Sequence, residues 1–334
     1  MSMTESQESE GLPYRVGLLL VDGFALMSFA SVVEPLRAAN LIAATDLYDV
    51  TYISTASPTP SPTASPTASP AAVSSSGAEI PSVGIGAAPA DLDLVLVIAG
   101  GDPLTFRDGP AFRWLRQQAG RGVRIGGVSG GPAILVNAGL MANRRMTIHW
   151  EHAAALAEHQ PALLLERSLF VMDRDRMTCA GGTAPLDMTH ALIAEHHGAA
   201  FARHVSDWFM HTEVRRAGDP QRAGLVERYG VHEASLVTAI DAMESHLSDP
   251  LKLLQIAGIA GVSDRQLNRL FRGRLGKSAM AFYRDLRLDK AKNLLIQSDM
   301  RLTEIALATG FANSAHFSRA FRARFGTMPS AIRR

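Results

Sequence analysis

The sequence predicts two domains of different class: an α/β domain with a doubly wound parallel sheet, followed by an all-α domain with two helix-turn-helix units. Strand patterns alternate with helical patterns over the first two thirds of the chain, and one helical pattern occurs twice between residues 252 and 334. From Pro220 onward the chain has 18 Lys+Arg and 10 Asp+Glu, a net charge of +8, whereas the preceding residues carry −7. A basic part joined to an acidic part is typical of a nucleic-acid module fused to another kind of domain.

The repeated pattern has a constant offset of fifty residues. The matched pairs are Leu267 and Phe317, Arg269 and Arg319, Phe271 and Phe321, Arg272 and Arg322, Arg274 and Arg324, and Gly276 and Gly326. A repeat that keeps both apolar and arginine positions indicates a repeated supersecondary unit. Each copy predicts a helix, a turn and a second helix, and Ser263 with Gln266 predicts a cap on the second helix of the first copy.

The second helix of each copy places polar and basic residues opposite its apolar face. Such a helix suits the major groove of DNA, whereas a solvated charged face would need no repeat. Arg272 and Arg322 are expected to hold phosphates. We predict DNA contacts from Arg265, Asn268, Arg269, Arg272, Ser314, Ser318, Arg319 and Arg322.

Four motifs in this region resemble the AraC/XylS DNA-binding domain. They are L-R-L-x-x-A-x-x-L-L at 286–295, I-A-L-A-T-G-F at 305–311, H-F-S-R-A-F at 316–321 and F-G-x-x-P at 325–329. The chain departs from the family pattern at Ser278-Ala279 and at Ile332, which are packing positions. The resemblance implies binding to promoter DNA and, for an activator, contact with RNA polymerase.

The pattern of the first two thirds predicts strands that alternate with helices. Strands are predicted at 15–21, 49–55, 92–98, 123–128, 166–172 and 176–179, and helices at 28–42, 111–119, 150–159, 185–196 and 201–214. The ligand site of such a sheet lies beyond the carboxyl ends of its strands, where Ser129 follows a predicted strand. We expect the α/β domain at 14–213, with a low-complexity insertion at 57–76, a linker at 214–230 and the all-α domain at 231–334.

Residues 127–131 fit the pattern G-x-S-x-G, which is typical of serine hydrolases. That chemistry requires a base beside the hydroxyl and an acid that orients the base. His149 follows Ser129 by only twenty residues, without an acid in the expected order. A hydrolase that uses Ser129 therefore stays the alternative function.

Three stretches, 23–40, 126–151 and 173–193, resemble the ThiJ/PfpI domain of GlxA-type AraC regulators, which has a flavodoxin-like fold. Enzymatic relatives have a cysteine at the turn after the strand, a histidine further on and an acid from the first helix. Here Ser129 stands at the cysteine position, His149 matches the histidine, and Ser28 or a neighbour stands at the acid position. The resemblance implies a regulator rather than an enzyme, with activation as the expected direction of control.

The turn after Ser129 also predicts a ligand site. We expect free backbone N–H groups at Gly130 and Gly131, at a helix N-terminus that favours an anion, although the glycines alone would explain a tight turn. Trp150 can receive a cation over its ring. The resemblance extends to regulators of carnitine, glycine betaine and arginine catabolism, which implies a small carboxylated or zwitterionic effector. The predicted ligand-binding residues are Ser129, Gly130, Gly131, His149, Trp150 and Thr183.

Composition excludes several other classes of protein. Cys179 is the single cysteine, so an internal disulfide is excluded, and no Cys/His cluster has structural zinc spacing. We expect no metal and no cofactor. The N-terminus lacks the pattern of a secretion signal, and no run of 18 apolar residues occurs. We therefore expect a cytoplasmic protein without a membrane partner, and a homodimer formed through the first domain.

Overall fold

The structure is a computed structural model that describes residues 12–55, 70–222, 224–297 and 300–332. The chain divides into two compact units. The first comprises Met1–His149 and Leu163–Asp219, and the second comprises Trp150–Ala162 and Pro220–Arg334. The second unit thus includes a short segment that the sequence predicts within the first domain.

The strands belong to the first unit, and seven of them form one sheet in the order β10-β11-β7-β6-β1-β2-β5. All neighbours in this sheet are parallel except β10 and β11, which are antiparallel. The strands are β1 Tyr14–Leu20, β2 Tyr48–Ser54, β3 Ala71–Val73, β4 Glu79–Pro81, β5 Val83–Gly84, β6 Leu94–Ala99, β7 Arg124–Ser129, β8 Arg145–Met146, β9 Leu164–Leu165, β10 Phe170–Asp173 and β11 Arg176–Cys179.

The helices divide between the two units. Helices α1, α2, α3, α5 and α6 belong to the first unit, and the others belong to the second. A short 3-10 helix spans Ile85–Ala87. The helices are α1 Leu26–Ala43, α2 Gly109–Gly120, α3 Gly131–Asn137, α4 Trp150–His159, α5 Ala184–His197, α6 Ala199–Trp208, α7 Leu225–Tyr229, α8 Ala234–Ser245, α9 Leu253–Ile259, α10 Asp264–Leu275, α11 Ala279–Gln297, α12 Leu302–Ala308, α13 Ser314–Phe325 and α14 Pro329–Ile332.

Strands β1 and β6 lie at the centre of the sheet and are almost entirely apolar. Val16, Leu18 and Leu20 of β1 are fully buried in one cluster with side chains of α1 and α5. Continuous apolar strands of this kind form where helices cover the sheet. The predicted doubly wound parallel sheet is confirmed.

The predicted boundaries differ from the structure at three places. Of the predicted insertion at 57–76, residues 57–69 lie outside the described residues, whereas β3 pairs with β4 instead of forming irregular chain. The helix predicted over 201–214 ends at Trp208, and Met210 then adopts a left-handed φ of +55°, which does not continue a helix. The predicted linker at 214–230 contains helix α7.

The second unit contains two helix-turn-helix units, α9–α10 and α12–α13, which confirms the predicted repeat. Ser263 caps α10 by accepting the Gln266 N–H at 3.2 Å, and Asn313 caps α13 by accepting a backbone N–H at 2.8 Å. Gly276 and Gly326 end the two helices with φ of +69° and +74°. Both ends of each helix are therefore specified by local sequence.

Helix α11 joins the two repeats through polar contacts from its buried face. The Tyr283 hydroxyl donates to the His246 carbonyl oxygen and accepts the N–H of Leu251. Arg287 donates from Nε and Nη2 to the carbonyl oxygens of Thr309 and Gly310 at 2.7 and 2.6 Å. These bonds fix α11 against the segment before α9 and against the turn after α12.

We expect Gly310→Ala to destabilise the protein more than Gly276→Ala. Both glycines have a left-handed φ, +71° and +69°, so each alanine incurs a backbone cost of about 1 kcal/mol. At Gly310 an added Cβ would also lie 2.4 Å from Pro250 Cγ and 2.8 Å from the Leu247 carbonyl oxygen, whereas at Gly276 it would meet no atom within 4 Å. Thermal unfolding of the full-length variants measures the difference, and equal melting temperatures would contradict the steric argument.

Candidate DNA-binding surface and effector site

The exposed face of α10 carries arginines that have no partner within the described ranges. Arg265, Arg269 and Arg272 are exposed, whereas Leu267 and Phe271 on the opposite face are fully buried. None of the three guanidinium groups forms an ion pair or hydrogen bond with another described residue. Together with Asp264, Asn268 and Gly273 they line an open depression on the helix surface. Such guanidinium groups are available to phosphates and base edges.

Helix α13 repeats this arrangement in the second copy. Arg319 and Arg322 are exposed and likewise have no partner in the described parts of the chain. Ser314 and Ser318 are half-buried on the same helix, and the apolar side chains opposite them are fully buried. The two helices therefore present unpaired arginines at the same two matched positions, whereas Arg265 of α10 corresponds to Ala315 of α13.

The matched pair Arg274 and Arg324 differs from the other arginine pairs, because carboxylates bind both of its side chains. Arg274 donates from Nε to Glu233 at 2.6 Å. Arg324 forms ion pairs with Asp285 at 2.8 Å and with Asp289 at 2.7 Å. Paired guanidinium groups support the packing of α10 and α13, whereas the unpaired ones remain available to DNA.

Asn268 also supports the fold. Its Oδ1 accepts the N–H of Ala279, the first residue of α11, at 3.1 Å. Only Nδ2 is then left to donate to a base or phosphate. The DNA contact of Asn268 stays a prediction, as do those of the other seven residues.

The turn after β7 has the sharp geometry that the G-x-S-x-G pattern indicates. Ser129 has a φ of +60°, in the left-handed region that disfavours residues with a side chain. A Cβ on Gly131 would lie 2.0 Å from the Val97 carbonyl oxygen, so α3 starts directly against β6. This close approach explains how the strained backbone at Ser129 is maintained.

The Gly130 backbone is not open to an anion. Its N–H donates to the Ala99 carbonyl oxygen at 3.0 Å, because the end of β6 reaches this turn. The expectation of a free N–H at Gly130 is therefore wrong. The role predicted for Gly131 stays a prediction.

A second turn, after β11, closes on Ser129. Gly181 has a φ of +91°, and a Cβ there would lie 2.6 Å from Ser129 Cβ. The Gly182 N–H donates to the fully buried Ser28 Oγ at 2.9 Å, and Thr183, which is exposed, follows directly before α5. The turn thus contacts Ser129 through Gly181 and Ser28 through Gly182, and Thr183 is its last residue.

His149 and Trp150 differ in their surroundings. The half-buried His149 donates its backbone N–H to the Ser129 carbonyl oxygen at 3.3 Å. Trp150 belongs to the second unit, where the Arg222 guanidinium carbon lies 4.4 Å from its ring centroid. A cation of the protein itself therefore makes the cation–π contact that the sequence assigns to a ligand, and a ligand role for Trp150 stays a prediction.

Nucleophilic catalysis at the turn lacks its required partners. Ser129 is 7% exposed, and its hydroxyl forms no hydrogen bond with any described residue, whereas an active serine needs an adjacent base. Cys179 is fully buried, and burial raises the pKa of its thiol to about 12, so the thiolate is not formed near neutral pH. The geometry favours binding over covalent chemistry.

The sequence pattern does not single out Asp187 and Arg215, which lie next to Thr183. The fully buried Asp187, in the first turn of α5, accepts the backbone N–H of Arg215 at 2.8 Å and lies 3.0 Å from His211 Nε2. Arg215 Nη2 also donates to Thr183 Oγ1 at 2.9 Å. One sequence signal could have indicated this pair: Asp187 lies on the apolar face of a predicted helix, and a buried carboxylate requires a partner.

Within the described ranges, no group of three His, Cys, Asp or Glu side chains gathers as metal ligands would. The same ranges contain no helix with both the length and the apolar character needed to cross a membrane.

Two family models match the chain. A helix-turn-helix domain model matches residues 256–334, and the DJ-1/PfpI family model matches residues 14–195, which is more than half of the chain. The match boundaries agree with the repeats of the second unit and with most of the first unit.

Relatives align with almost the entire chain. It is 43% identical to the HTH-type transcriptional regulator GlxA of Rhizobium meliloti, over 99% of both chains. It is 40% identical to the HTH-type transcriptional regulator CdhR of Pseudomonas aeruginosa, over 94% of this chain and 90% of the relative. A crystal structure of a ThiJ/PfpI family protein from Pseudomonas syringae covers 78% of this chain and 97% of its own, with a TM-score of 0.50 and 20% identity, and supports the fold alone.

We expect Ser129→Gly to be more stable than Ser129→Ala by about 1 kcal/mol, because both lose the hydroxyl but only glycine adopts a left-handed φ without a steric cost. Thermal unfolding of the two full-length variants measures this difference. An alanine variant as stable as the glycine variant would show that the backbone at Ser129 is not strained.

Cys179 should resist alkylation in the native protein. A pKa of about 12 leaves on the order of one thiol in 10⁴ ionised at pH 8. Mass spectrometry after iodoacetamide treatment should show label only when guanidinium chloride is added. Rapid labelling without denaturant would contradict the burial of this thiol.

Proposed function

We propose that a small carboxylated or zwitterionic metabolite binds the first unit and thereby controls transcription through the second unit. The chain belongs to the GlxA-type family of DNA-binding AraC transcriptional regulators. The effector class comprises compounds of the carnitine, glycine betaine and arginine type. Activation is the proposed direction of control, with RNA polymerase as the partner at the promoter. The proposed assembly is a cytoplasmic homodimer formed through the first unit.

The exposed arginines of α10 and α13 carry the proposal for DNA recognition. Arg269 and Arg319 occupy equivalent positions in the two repeats, and both are unpaired among the residues that the structure describes. Unpaired guanidinium groups on helices of this kind can bind guanine edges or phosphates without first breaking an ion pair. Each repeat would then read one of two successive major-groove segments.

The turns around Ser129 support the proposal for an effector site. Ser129 and Thr183 offer hydroxyl groups. Gly131 follows Ser129 by two residues in the chain, and the His149 backbone N–H donates to the Ser129 carbonyl oxygen. These groups lie at or just beyond the carboxyl ends of β7 and β11, where ligands bind to doubly wound sheets. The serine-hydrolase alternative is not proposed, because the hydroxyl lacks a base and the relatives are named regulators.

We expect Arg269→Ala and Arg319→Ala to weaken binding to the protein's own upstream DNA by about 1 to 3 kcal/mol each, because each removes a charged contact. Gel-shift titration at fixed salt measures the loss. Arg37→Ala is the matched control, because it removes an equal charge from α1 in the first unit, where Arg37 pairs with Glu34. An equal loss in all three variants would indicate a general effect of net charge and contradict specific roles for α10 and α13.

Footprinting of the same DNA with and without L-carnitine, glycine betaine and L-arginine tests the effector. We expect protection of two adjacent major-groove segments and a change of protection with one compound. Protection that ignores all three compounds would reject the proposed effector class, whereas the absence of protection at low salt, on this and neighbouring promoters, would contradict promoter recognition.

A further inference from the structure

The Arg215 guanidinium is fixed at the edge of the candidate effector site by a buried carboxylate. The Asp187 side chain is fully buried, whereas that of Arg215 is 35% exposed. Arg215 donates to Asp187 from Nε at 3.0 Å and from Nη2 at 2.6 Å, and Nη2 also donates to Thr183 Oγ1 at 2.9 Å. Both hydrogens of Nη2 are therefore used, and the plane of the guanidinium is set.

Donor groups remain at this edge after these bonds are formed. A guanidinium has five N–H groups, and the two on Nη1 have no partner among the described residues. Thr183 accepts a bond from Arg215, so its own O–H is left to donate. Thr183 is exposed, so a small molecule can reach both groups.

Ser129 supplies an independent observation that points to a ligand. Its residue is 7% exposed, its hydroxyl has no partner within the described ranges, and a Cβ added to Gly181 would lie 2.9 Å from its Oγ. The hydroxyl thus faces the turn at 181–183, whose last residue binds Arg215. The Ser129 oxygen is not among the completely enclosed unpaired atoms, so a small molecule can reach it and replace a hydrogen bond to water.

We propose that Arg215 binds the carboxylate of the effector, together with the hydroxyl groups of Thr183 and Ser129, and that Asp187 is a positioning residue. This inference rests on the function proposed above. The unpaired groups at the site are donors, which match the acceptor oxygens of a carboxylate. Because Asp187 and Arg215 carry opposite charges, the site selects its ligand by donor geometry more than by net charge.

The test uses pairs of compounds that differ in a carboxylate. Calorimetric titration of the full-length protein compares glycine betaine with choline, and L-arginine with agmatine. The variant carries both Asp187→Asn and Arg215→Gln, because removal of Arg215 alone would leave a buried carboxylate unpaired. Arg216→Gln is the control for an arginine-to-glutamine change at the neighbouring position, because this exposed side chain forms no hydrogen bond or ion pair within the described ranges. The double variant itself keeps the net charge of the wild type, because it removes one charge of each sign.

We expect the wild type to prefer the carboxylated member of at least one pair. The double variant should lose about tenfold in affinity for that compound, as expected when one charge-assisted hydrogen bond is removed, and the control should keep wild-type affinity. Circular dichroism checks folding. If the double variant does not fold, Arg215→Lys replaces it. A lysine lacks the planar guanidinium that binds Asp187 and Thr183 on one side and presents two further N–H groups on the other, so the same loss is expected.

The outcomes separate this inference from the proposed function. Wild-type affinity in a folded variant would overturn the role of Arg215, while a footprint that responds to the compound would keep the regulator and its effector class. Failure of the wild type to bind either carboxylated compound would overturn both the effector class and the role of Arg215, although a footprint would still support promoter recognition.

Discussion

The contact between the Gly181 and Ser129 backbones is the constraint on which the site of the first unit depends. Strands β7 and β11 are parallel neighbours, with Val128 opposite Cys179, so the chain leaves both strands side by side. A side chain at Gly181 would overlap Ser129, and only glycine permits this approach. The strained serine, the turn before α5 and the residues that the turn carries are therefore positioned together.

The parts of the fold that depend on local sequence follow the predicted pattern. The individual strands, the helices of each repeat and the cap at Ser263 are each specified by residues within a few positions of one another. The site was less predictable, because its contacts join distant segments. The Gly130 N–H bonds to Ala99, thirty-one residues earlier in the chain, and Arg215 binds Asp187 from a stretch whose polar composition is typical of a linker.

The repeated arginines show why charge counts alone do not define a DNA-binding surface. Three of the six matched positions have arginine in both copies. At one of these three, both arginines form ion pairs with acids elsewhere in the second unit. Arg274 and Arg324 contribute to the net charge of +8 in the same way as Arg269 and Arg319, but their side chains hold the helices in place. Whether an arginine is paired with a carboxylate depends on tertiary structure, and this pairing separates the arginines that support packing from those available to DNA.

The bonds of Tyr283 and Arg287 have a consequence for the DNA. Helix α11 has 19 residues, a length of about 28 Å, and it is fixed to both repeats, so the separation of α10 and α13 is a property of the protein. Successive major-groove segments on one side of B-DNA are about 34 Å apart. Where the separation of α10 and α13 differs from this groove spacing, the duplex has to bend. The stiffness of base pairs that touch no side chain then contributes to operator choice.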